Sequence, residues 1–304
     1  MDIQQLIAFT TIADLGSFSA AAAQLGLTQS AISKRIALLE AHLSQPLFDR
    51  INRTVQLTEA GHALLPRARG IIREVEDTSR YMTDIKGLVT GSLSIATSHH
   101  IGLHRLPSVL KRFTQQYPDV HLQINFIDSE QANAAVRQGE FELALITLPQ
   151  SFIDDSEHID RSHDIQHYRI WSDPLAFVTN QQHPLAKKVS EGQLVTLEDL
   201  ADYPAILPDP NTYTTQLIQN LFNEKKQALT ISMTTNHLDA INMMISVGLG
   251  WSVLPLTLMN NNIIELPIKA PCLVRELGCI HHRERSLSNA ARAMLTLLRK
   301  NSKD

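Results

Sequence analysis

The sequence has little cysteine, few aromatic residues and no long apolar run. Two cysteines in 304 residues, Cys272 and Cys279, are too few for a disulfide framework and indicate reduced thiols. No stretch approaches the roughly 20 apolar residues that a membrane span requires. The first residues, MDIQQLIAFTTIADLG, lack the basic start and cleavage site of a signal peptide. We therefore expect a cytoplasmic protein with no membrane partner.

Motifs that would indicate an enzyme are also missing. The chain has no nucleophile elbow, no phosphate-binding P-loop and no glycine-rich dinucleotide fingerprint, and VGLGWS offers only a G-x-G. Histidine is abundant, and His163 and His167 would chelate a metal if they lay on a helix. However, no Cys/His quartet has the spacing of a zinc site. We expect no catalytic residue, no metal and no cofactor.

The net charge of -4 hides a local excess of positive charge near the N-terminus. Between Thr28 and Arg73 there are seven cations and three anions, a local net charge of +4. Because attraction to phosphate is local, an acidic remainder does not exclude DNA binding. With 43% apolar and 19% charged residues, the chain has the composition of packed globular domains.

Apolar residues recur at helical spacing in three successive N-terminal segments. The inward-facing sets are Ile3, Leu6, Phe9 and Ile12; Phe18, Ala21, Ala22 and Leu25; and Ile32, Ile36, Leu39 and Leu43. Gly16 ends the first helix, Ser17 and Thr28 cap the second and third, and Gly26 marks the break between them. The alanines allow close helix approach, so the pattern predicts a compact helix-turn-helix.

The third helix leaves polar and basic side chains on its outer face. The predicted DNA contacts are Thr28, Gln29, Ser30, Ser33, Lys34 and Arg35. Short polar side chains and a glutamine at a helix N-terminus suit base edges and nearby phosphates, while Lys34 and Arg35 supply the positive charge. The alternative is an ordinary solvated helix face.

A wing after the third helix favours DNA binding over that alternative. The segment DRINRTVQL predicts two short strands around a turn at Asn52, with Arg50 and Arg53 at its tip near the DNA backbone or a minor groove. The stretch AAAAQLGLTQSAISKRIALLEAHLSQPLFDR, followed by LTEAGHALLPRAR, resembles the N-terminal domain of LysR-type transcriptional regulators. The resemblance covers about the first 90 residues in motif detail. It implies a mainly α, winged helix-turn-helix DNA-binding domain over residues 1–58.

Residues 59–90 predict a long linker helix followed by a hinge, with Pro66 weakening the first turns of the helix. Apolar residues spaced alternately four and three apart form a coiled-coil seam: Leu64, Ala68, Ile71, Val75, Thr78, Met82 and Ile85. Such a stripe could instead pack on its own domain. The resemblance favours a homodimer or homotetramer that presents paired helices to a near-palindromic double-stranded operator.

After Gly91 the pattern changes to alternating strands and helices, which predicts a mostly parallel sheet. GSLSIATS, FTQQYPDVHLQI, QGEFELALIT, HPLA and VGLGWSVLP resemble, in order, segments of the effector domain of the same family. That resemblance implies an α/β two-lobed domain of the periplasmic-binding-protein type over residues 91–304. Lobe I would comprise 91–163 and 269–304, lobe II would comprise 164–268, and a small-molecule effector would lie between them.

Loops that follow the predicted strands carry hydroxyls, imidazoles and amides, and in parallel α/β sheets ligands bind at such strand ends. The predicted effector contacts are Thr97, Ser98, His99, His100, Asp128, Thr147, Pro208, Thr212 and Asn236. Hydroxyls and a positive helix end favour a small anion, most simply a carboxylate. The alternative is that these hydroxyls only cap helices.

Three other functions remain to be weighed. Some relatives sense peroxide with a cysteine pair, but Cys279 falls in a predicted buried strand, where a packing role is favoured. A solute-binding protein with an accessory domain would lack sequence-specific DNA binding, and an α/β enzyme with a regulatory head would show turnover. We favour a DNA-binding regulator that is controlled by a metabolite and performs no chemical step.

Overall fold

The computed structural model describes residues 1–51, 54–84, 87–152, 164–269 and 271–300. The chain forms two compact units, Met1–Leu88 and Val89–Asp304. Within the described ranges, no helix combines the length and the apolar character needed to cross a membrane.

The first unit is three short helices, a hairpin and a long helix. Its elements are α1 Ile3–Leu15, α2 Phe18–Gln24, α3 Gln29–Leu43, β1 Phe48–Ile51, β2 Thr54–Leu57 and α4 Glu59–Asp84. Gly16 adopts a left-handed conformation with φ 60° and ends α1, as predicted. Ser17 and Thr28 are the N-caps of α2 and α3, which confirms the predicted helix starts.

The predicted inward faces form one core in this unit. Phe48, the first residue of β1, packs its ring against Phe9 and Phe18 at centroid distances of 5.3 and 5.6 Å. The hairpin is antiparallel, with Phe48 opposite Leu57. It is the predicted wing, and its predicted turn, at Asn52 and Arg53, lies outside the described residues.

Helix α4 is continuous through Pro66, and its first turns pack on their own unit. Ala68 is fully buried in the core of this unit, and Leu64 is half-buried against the same core. For these two residues the structure favours the alternative that the stripe packs on its own domain. Ile71, Val75 and Met82 are 41%, 47% and 62% exposed, and Ile85 lies outside the described residues.

The second unit is built on one mixed sheet. Its strands are β3 Gly91–Thr97, β4 Val120–Phe126, β5 Leu143–Thr147, β6 Ile165–Asn180, β7 Ala205–Leu207, β8 Ile231–Thr234, β9 Trp251–Pro255, β10 Ile263–Glu265 and β11 Leu273–His282. The order is β4-β3-β5-β11-β6-β9-β7-β8, and β10 pairs with β6. The pairs of β3 with β4 and β5 are parallel, as predicted, whereas β11 is antiparallel to both β5 and β6.

Eight helices of this unit lie within the described residues. They are α5 His99–His104, α6 Leu106–Gln116, α7 Ser129–Arg137, α8 Pro184–Ser190, α9 Leu197–Ala201, α10 Tyr213–Glu224, α11 Leu238–Ser246 and α12 Asn289–Lys300. The sequence pattern of GLHRLPSVLKRFTQQYP predicts one helix, whereas the structure has α5 and α6 in this region. Pro107 lies in the first turn of α6 and has no N–H to continue the hydrogen-bond ladder from α5.

Strands β6 and β11 pass through both lobes. Ile170 and Leu277 belong to one hydrophobic core, whereas Leu175 and Leu273 belong to another. The change of lobe therefore falls near residue 173 on β6 and near 275 on β11. The predicted borders at 163/164 and 268/269 lie before the first residues of β6 and β11. We propose the later borders.

Candidate functional site

The outer face of α3 carries the predicted DNA contacts. The Thr28 hydroxyl accepts a hydrogen bond from Ala31 N at 3.2 Å and lies 3.0 Å from the Ser30 hydroxyl. Gln29, Ser30 and Lys34 are exposed. The cap and the buried opposite face hold the helix so that this polar edge faces solvent.

Arg35 is tied to the first helix. Its Nη1 donates to Gln4 Oε1 at 3.2 Å, and both it and Ser33 are half-buried. A guanidinium has five N–H donors, so this contact positions Arg35 and leaves donors for another partner. Arg50 lies in β1 opposite Val55, and Arg53 falls outside the described residues.

A polar cavity of about 50 Å³ lies between the two lobes of the second unit. Eight of the nine predicted effector contacts line it: Ser98, His99, His100, Asp128, Thr147, Pro208, Thr212 and Asn236. Thr97 does not, because its side chain is fully buried at the end of β3. Residues that follow the strand ends therefore line the cavity, whereas Thr97, the last residue of β3, does not.

Ser129 and Thr214 also line the cavity, from the segments that carry the predicted contacts Asp128 and Thr212. Glu130, Leu238 and Arg275 line it as well and were not predicted. Glu130 and Thr214 each lie two residues beyond a predicted contact, in the first turn of a helix. The signal for Arg275 is a cation inside the predicted buried strand VRELGCI, since a buried cation requires a partner.

Arg275 belongs to a buried charge cluster where β6 and β11 change lobe. Its Nε lies 2.7 Å from Oδ2 of the fully buried Asp173, and its Nη1 donates to the Thr214 hydroxyl at 3.1 Å. Arg105 Nη2 lies 2.7 Å from Asp173 Oδ1. The remaining Arg275 nitrogen, Nη2, is buried and has no hydrogen-bond partner in the described part of the chain. The cluster therefore offers a cation with an unused donor.

Burial and neighbouring charges fix the protonation of this cluster. Burial alone would raise the pKa of Asp173, but the neighbouring His100 and the guanidiniums of Arg275 and Arg105 outweigh it and lower that pKa. His100 Nε2 lies 3.6 Å from Asp173 Oδ2, and burial lowers the pKa of its imidazole despite that carboxylate. At neutral pH one carboxylate thus faces two guanidiniums, and the cluster carries net positive charge.

Direct contacts between the lobes hold the cavity closed. Asn236 Nδ2 donates to Asp128 Oδ2 at 2.7 Å, and Tyr213 N, at the start of α10, donates to Glu130 Oε1 at 2.7 Å. Burial raises the pKa of Glu130 although that backbone bond opposes the change. The rings of His99 and His237 also meet, at a centroid distance of 4.4 Å. One lobe supplies both carboxylates and the other supplies the donors.

This arrangement agrees with comparisons to known proteins. The model described as "Bacterial regulatory helix-turn-helix protein, lysR family" matches residues 3–62, and "LysR substrate binding domain" matches residues 86–303. The chain belongs to the family of LysR-type transcriptional regulators. It is a DNA-binding transcription regulator with an effector-binding domain, and it is not an enzyme.

Relatives of this LysR-type regulator match over nearly its whole length. The transcriptional activator CmpR of Synechocystis is 27% identical over 97% of this chain and 94% of its own. CbnR in complex with its target DNA has 22% identity and a TM-score of 0.66, covering 99% of this chain and all of that one. The effector-binding domain of QuiR in complex with shikimate has 21% identity and a TM-score of 0.60, covering 70% of this chain and 98% of that one.

A larger groove of about 410 Å³ adjoins the cavity in this LysR-type regulator. Thr147 and Arg275 line both spaces. The groove also runs along α10, where Leu217, Leu221 and Asn220 line it, whereas Asp128 and Glu130 line the cavity alone. The two spaces can therefore be probed separately by substitution.

Two alternative functions, metal binding and redox chemistry, depend on the surroundings of the histidines and cysteines. His167 lies in β6, where its ring stacks on Phe152 at 4.8 Å, so the helical spacing assumed for it and His163 does not apply; His163 lies outside the described residues. Within the described ranges, no three His, Cys, Asp or Glu side chains could hold a metal. Cys279 is buried, which confirms its predicted place in a strand, and burial raises the pKa of its thiol to about 12. Cys272 is exposed.

Proposed function

We propose that a small anionic metabolite, bound between the lobes, controls DNA binding by this regulator. The observation that carries the proposal is the position of Arg275. Its side chain is only 6% exposed, it lines the cavity, and it retains a buried donor without a partner. A buried guanidinium with a free N–H is a strong site for a carboxylate, because the charge-assisted hydrogen bond forms away from competing water.

Other residues of the cavity would complete the anion site. The Ser98 hydroxyl makes no capping bond to α5 and stays available to a ligand, and Thr147 lines the cavity from the neighbouring strand end. His99, Thr212 and Pro208 would contact the rest of the effector. The QuiR effector domain, which has the same fold, is in complex with shikimate. That complex supports a small-molecule ligand for this chain as well.

Binding would act by shifting the equilibrium between closed and open lobes. The closed cavity of about 50 Å³ is smaller than the roughly 300 Å³ at which ligand pockets usually begin. A metabolite therefore requires the contacts of Asp128 with Asn236 and of Glu130 with Tyr213 to rearrange. An effector that prefers one arrangement changes the populations of both, and no chemical step is needed.

The output would be the spacing of paired DNA-binding units. Ile71, Val75 and Met82 are exposed at heptad spacing on α4, and we propose that two copies associate through them, with Ile85 continuing the seam. Two copies of α3 would then meet a near-palindromic operator, with Gln29, Ser30 and Arg35 near base edges and Lys34, Arg50 and Arg53 near the backbone. Pairing of dimers through the second unit would give a tetramer. DNA as the partner implies a cytoplasmic site of action.

A two-stage experiment tests the proposal. Small carboxylates are first screened for a rise in the melting temperature of the full-length protein, since a ligand that binds only the folded state stabilises it. Hits are then added to a gel-shift titration with operator DNA. We expect a hit to change operator affinity and Ser98→Ala or Arg275→Gln to abolish the thermal shift. Carboxylates that stabilise both variants as well as the wild type would refute this binding site.

A further inference from the structure

The closed cavity presents acidic side chains as well as the cationic cluster. Asp128 and Glu130 line it from the first turn of α7 in lobe I, and Arg275 lines it from β11. A bare carboxylate on Arg275 would share this small space with two other carboxylates. Like charges so close repel, and the repulsion is strongest where water is scarce. A ligand that carries only negative charge is therefore a poor match for this cavity.

Both acidic side chains already accept hydrogen bonds across the cavity. Asp128 Oδ2 accepts from Asn236 Nδ2 and Glu130 Oε1 accepts from Tyr213 N, each at 2.7 Å. A ligand that enters between the lobes separates these donors from the two half-buried carboxylates and also displaces water, and a desolvated carboxylate without a donor is unfavourable. A ligand that supplied a donor of its own would replace the lost bonds. A carboxylate has about four acceptor positions, so capacity for a ligand donor exists even beside the present bonds.

The buried side chain of Arg275 adds a second, independent observation in the same cavity. Its Nη2 is a donor without a partner among the described residues, whereas its Nε and Nη1 are bonded to Asp173 and Thr214. The cavity thus combines an unused donor on a cation with acceptors on two anions. A complementary ligand has the reverse pattern, with an acceptor anion at one end and a donor at the other.

We propose that the effector is a small carboxylic acid that carries a hydrogen-bond donor, a hydroxyl or an ammonium group, next to its carboxylate. Its carboxylate binds Arg275 and Ser98, and its donor binds Asp128 and Glu130. This inference rests on the proposed function of the cavity as a carboxylate site and adds the second group. Hydroxy acids and amino acids share the required chemistry, and the charge of the donor separates them.

Matched ligands test the inference on the full-length protein by titration calorimetry. Each set contains an unsubstituted acid, the 2-hydroxy acid and the 2-amino acid with the same carbon skeleton of three to six carbons. In the set that binds most tightly, we expect a donor-bearing acid to bind at least about tenfold more tightly than the unsubstituted acid, because a site built for a donor rejects the analogue that lacks it. A tight unsubstituted acid in every set, with binding lost in Ser98→Ala, overturns the inference and leaves the proposed function standing. No binding by any acid overturns both.

Substitutions of Asp128 and Glu130 distinguish an ammonium donor from a hydroxyl donor on the ligand. Asp128→Asn and Glu130→Gln keep a carbonyl acceptor and remove the charge. They should weaken an ammonium ligand by about tenfold or more and a hydroxyl ligand much less, since the bond to a charged acceptor is the stronger one. Asn220→Ala, in the adjoining groove, is the matched control and should leave every affinity unchanged. Equal preference for the donor-bearing acid in wild type and in both acidic variants would overturn the assignment of Asp128 and Glu130.

Discussion

Asp173 and Arg275 face each other on neighbouring strands at the point where β6 and β11 pass from one lobe to the other. Each side chain is buried, and each strand contributes to both hydrophobic cores. Arg275 also lines the cavity, where it donates a hydrogen bond to Thr214 of α10, so the ion pair reaches the cavity through Arg275. The connection between the lobes and the proposed anion site therefore share one side chain.

Removal of Asp173 should destabilise the second unit strongly. Asp173→Asn leaves Arg105 and Arg275 close together without their carboxylate, and breaking a buried pair in this way costs about 3–5 kcal/mol. Urea denaturation followed by circular dichroism measures the loss. Arg169→Gln is the control, because that largely exposed partner of Glu276 should contribute at most about 1 kcal/mol. Equal effects of the two substitutions would contradict the role of burial.

The contribution of Asp173 should depend on pH in one direction. Its pKa is lower in the folded protein than in the unfolded chain, so its stabilisation is present above the ordinary carboxyl pKa of about 4 and is lost as the pH falls through the folded-state value. The difference in unfolding free energy between wild type and Asp173→Asn should be constant from about pH 5 to pH 7. It should shrink on further acidification, and a difference that grows below about pH 4 would refute the cause.

Ionisation of Glu130 should affect the stability of the folded protein in the opposite direction. Burial raises the pKa of its carboxyl, so ionisation costs stability as the pH rises through the folded-state value. Glu130→Gln keeps the acceptor for Tyr213 N and should match or exceed the wild-type melting temperature at pH 7, with the gain vanishing near pH 4. Glu130→Ala removes the bond and should cost about 1 kcal/mol, which separates charge from hydrogen bonding in the same thermal scans.

Substitutions on the outer face of α3 should distinguish sequence-specific base contacts from attraction to the phosphate backbone. Gln29→Ala or Arg35→Ala should cost roughly 1–3 kcal/mol of operator affinity, whereas Lys34→Ala should weaken all sequences and reduce the salt slope by about one. Gel-shift titrations at several salt concentrations distinguish these effects. Lys225→Ala, at the end of α10 in the other unit, is the control. Unchanged operator binding by Gln29→Ala and Arg35→Ala together would refute the groove assignment.

Substitutions in α4 should distinguish association between two chains from folding of one chain. Ile71→Glu places a charge on the exposed part of the seam and should weaken association in sedimentation, while circular dichroism shows that the dissociated protein keeps its helices. Glu74→Gln, an exposed change on the same helix, should affect neither. Ala68→Leu overpacks a buried position and should cost about 1–3 kcal/mol of stability while the remaining folded protein associates normally. Full-strength association of Ile71→Glu would contradict the heptad interpretation.

The sequence predicts the N-terminal unit well because its signals are local. Helix caps at Ser17 and Thr28 and the glycine at position 16 act within one turn, so the pattern of a few residues identifies them. The seam between two linker helices stays a prediction. A heptad stripe has the same appearance whether it meets another chain or, as Ala68 does, the chain's own first helix.

The candidate cavity was predicted where it depends on strand ends and missed where it depends on long-range pairing. Ser98, Asp128 and Thr147 follow or end recognisable strands. Arg275 enters the cavity only because β11 returns between β5 and β6, more than 100 residues after β5. No local pattern encodes that return, so its partner Asp173 and the net charge of the cluster required the structure.

The central place of β11 also sets the order in which the protein can be completed during synthesis. Lobe II is encoded between the two parts of lobe I, and β11 and α12 come last in the described chain. When β5 leaves the ribosome, its partner β11 does not yet exist, and the edge of β5 remains open until more than 100 further residues have been made. A premature stop before Leu273 would therefore remove one of the two strands that join the lobes and expose sheet edges prone to aggregation.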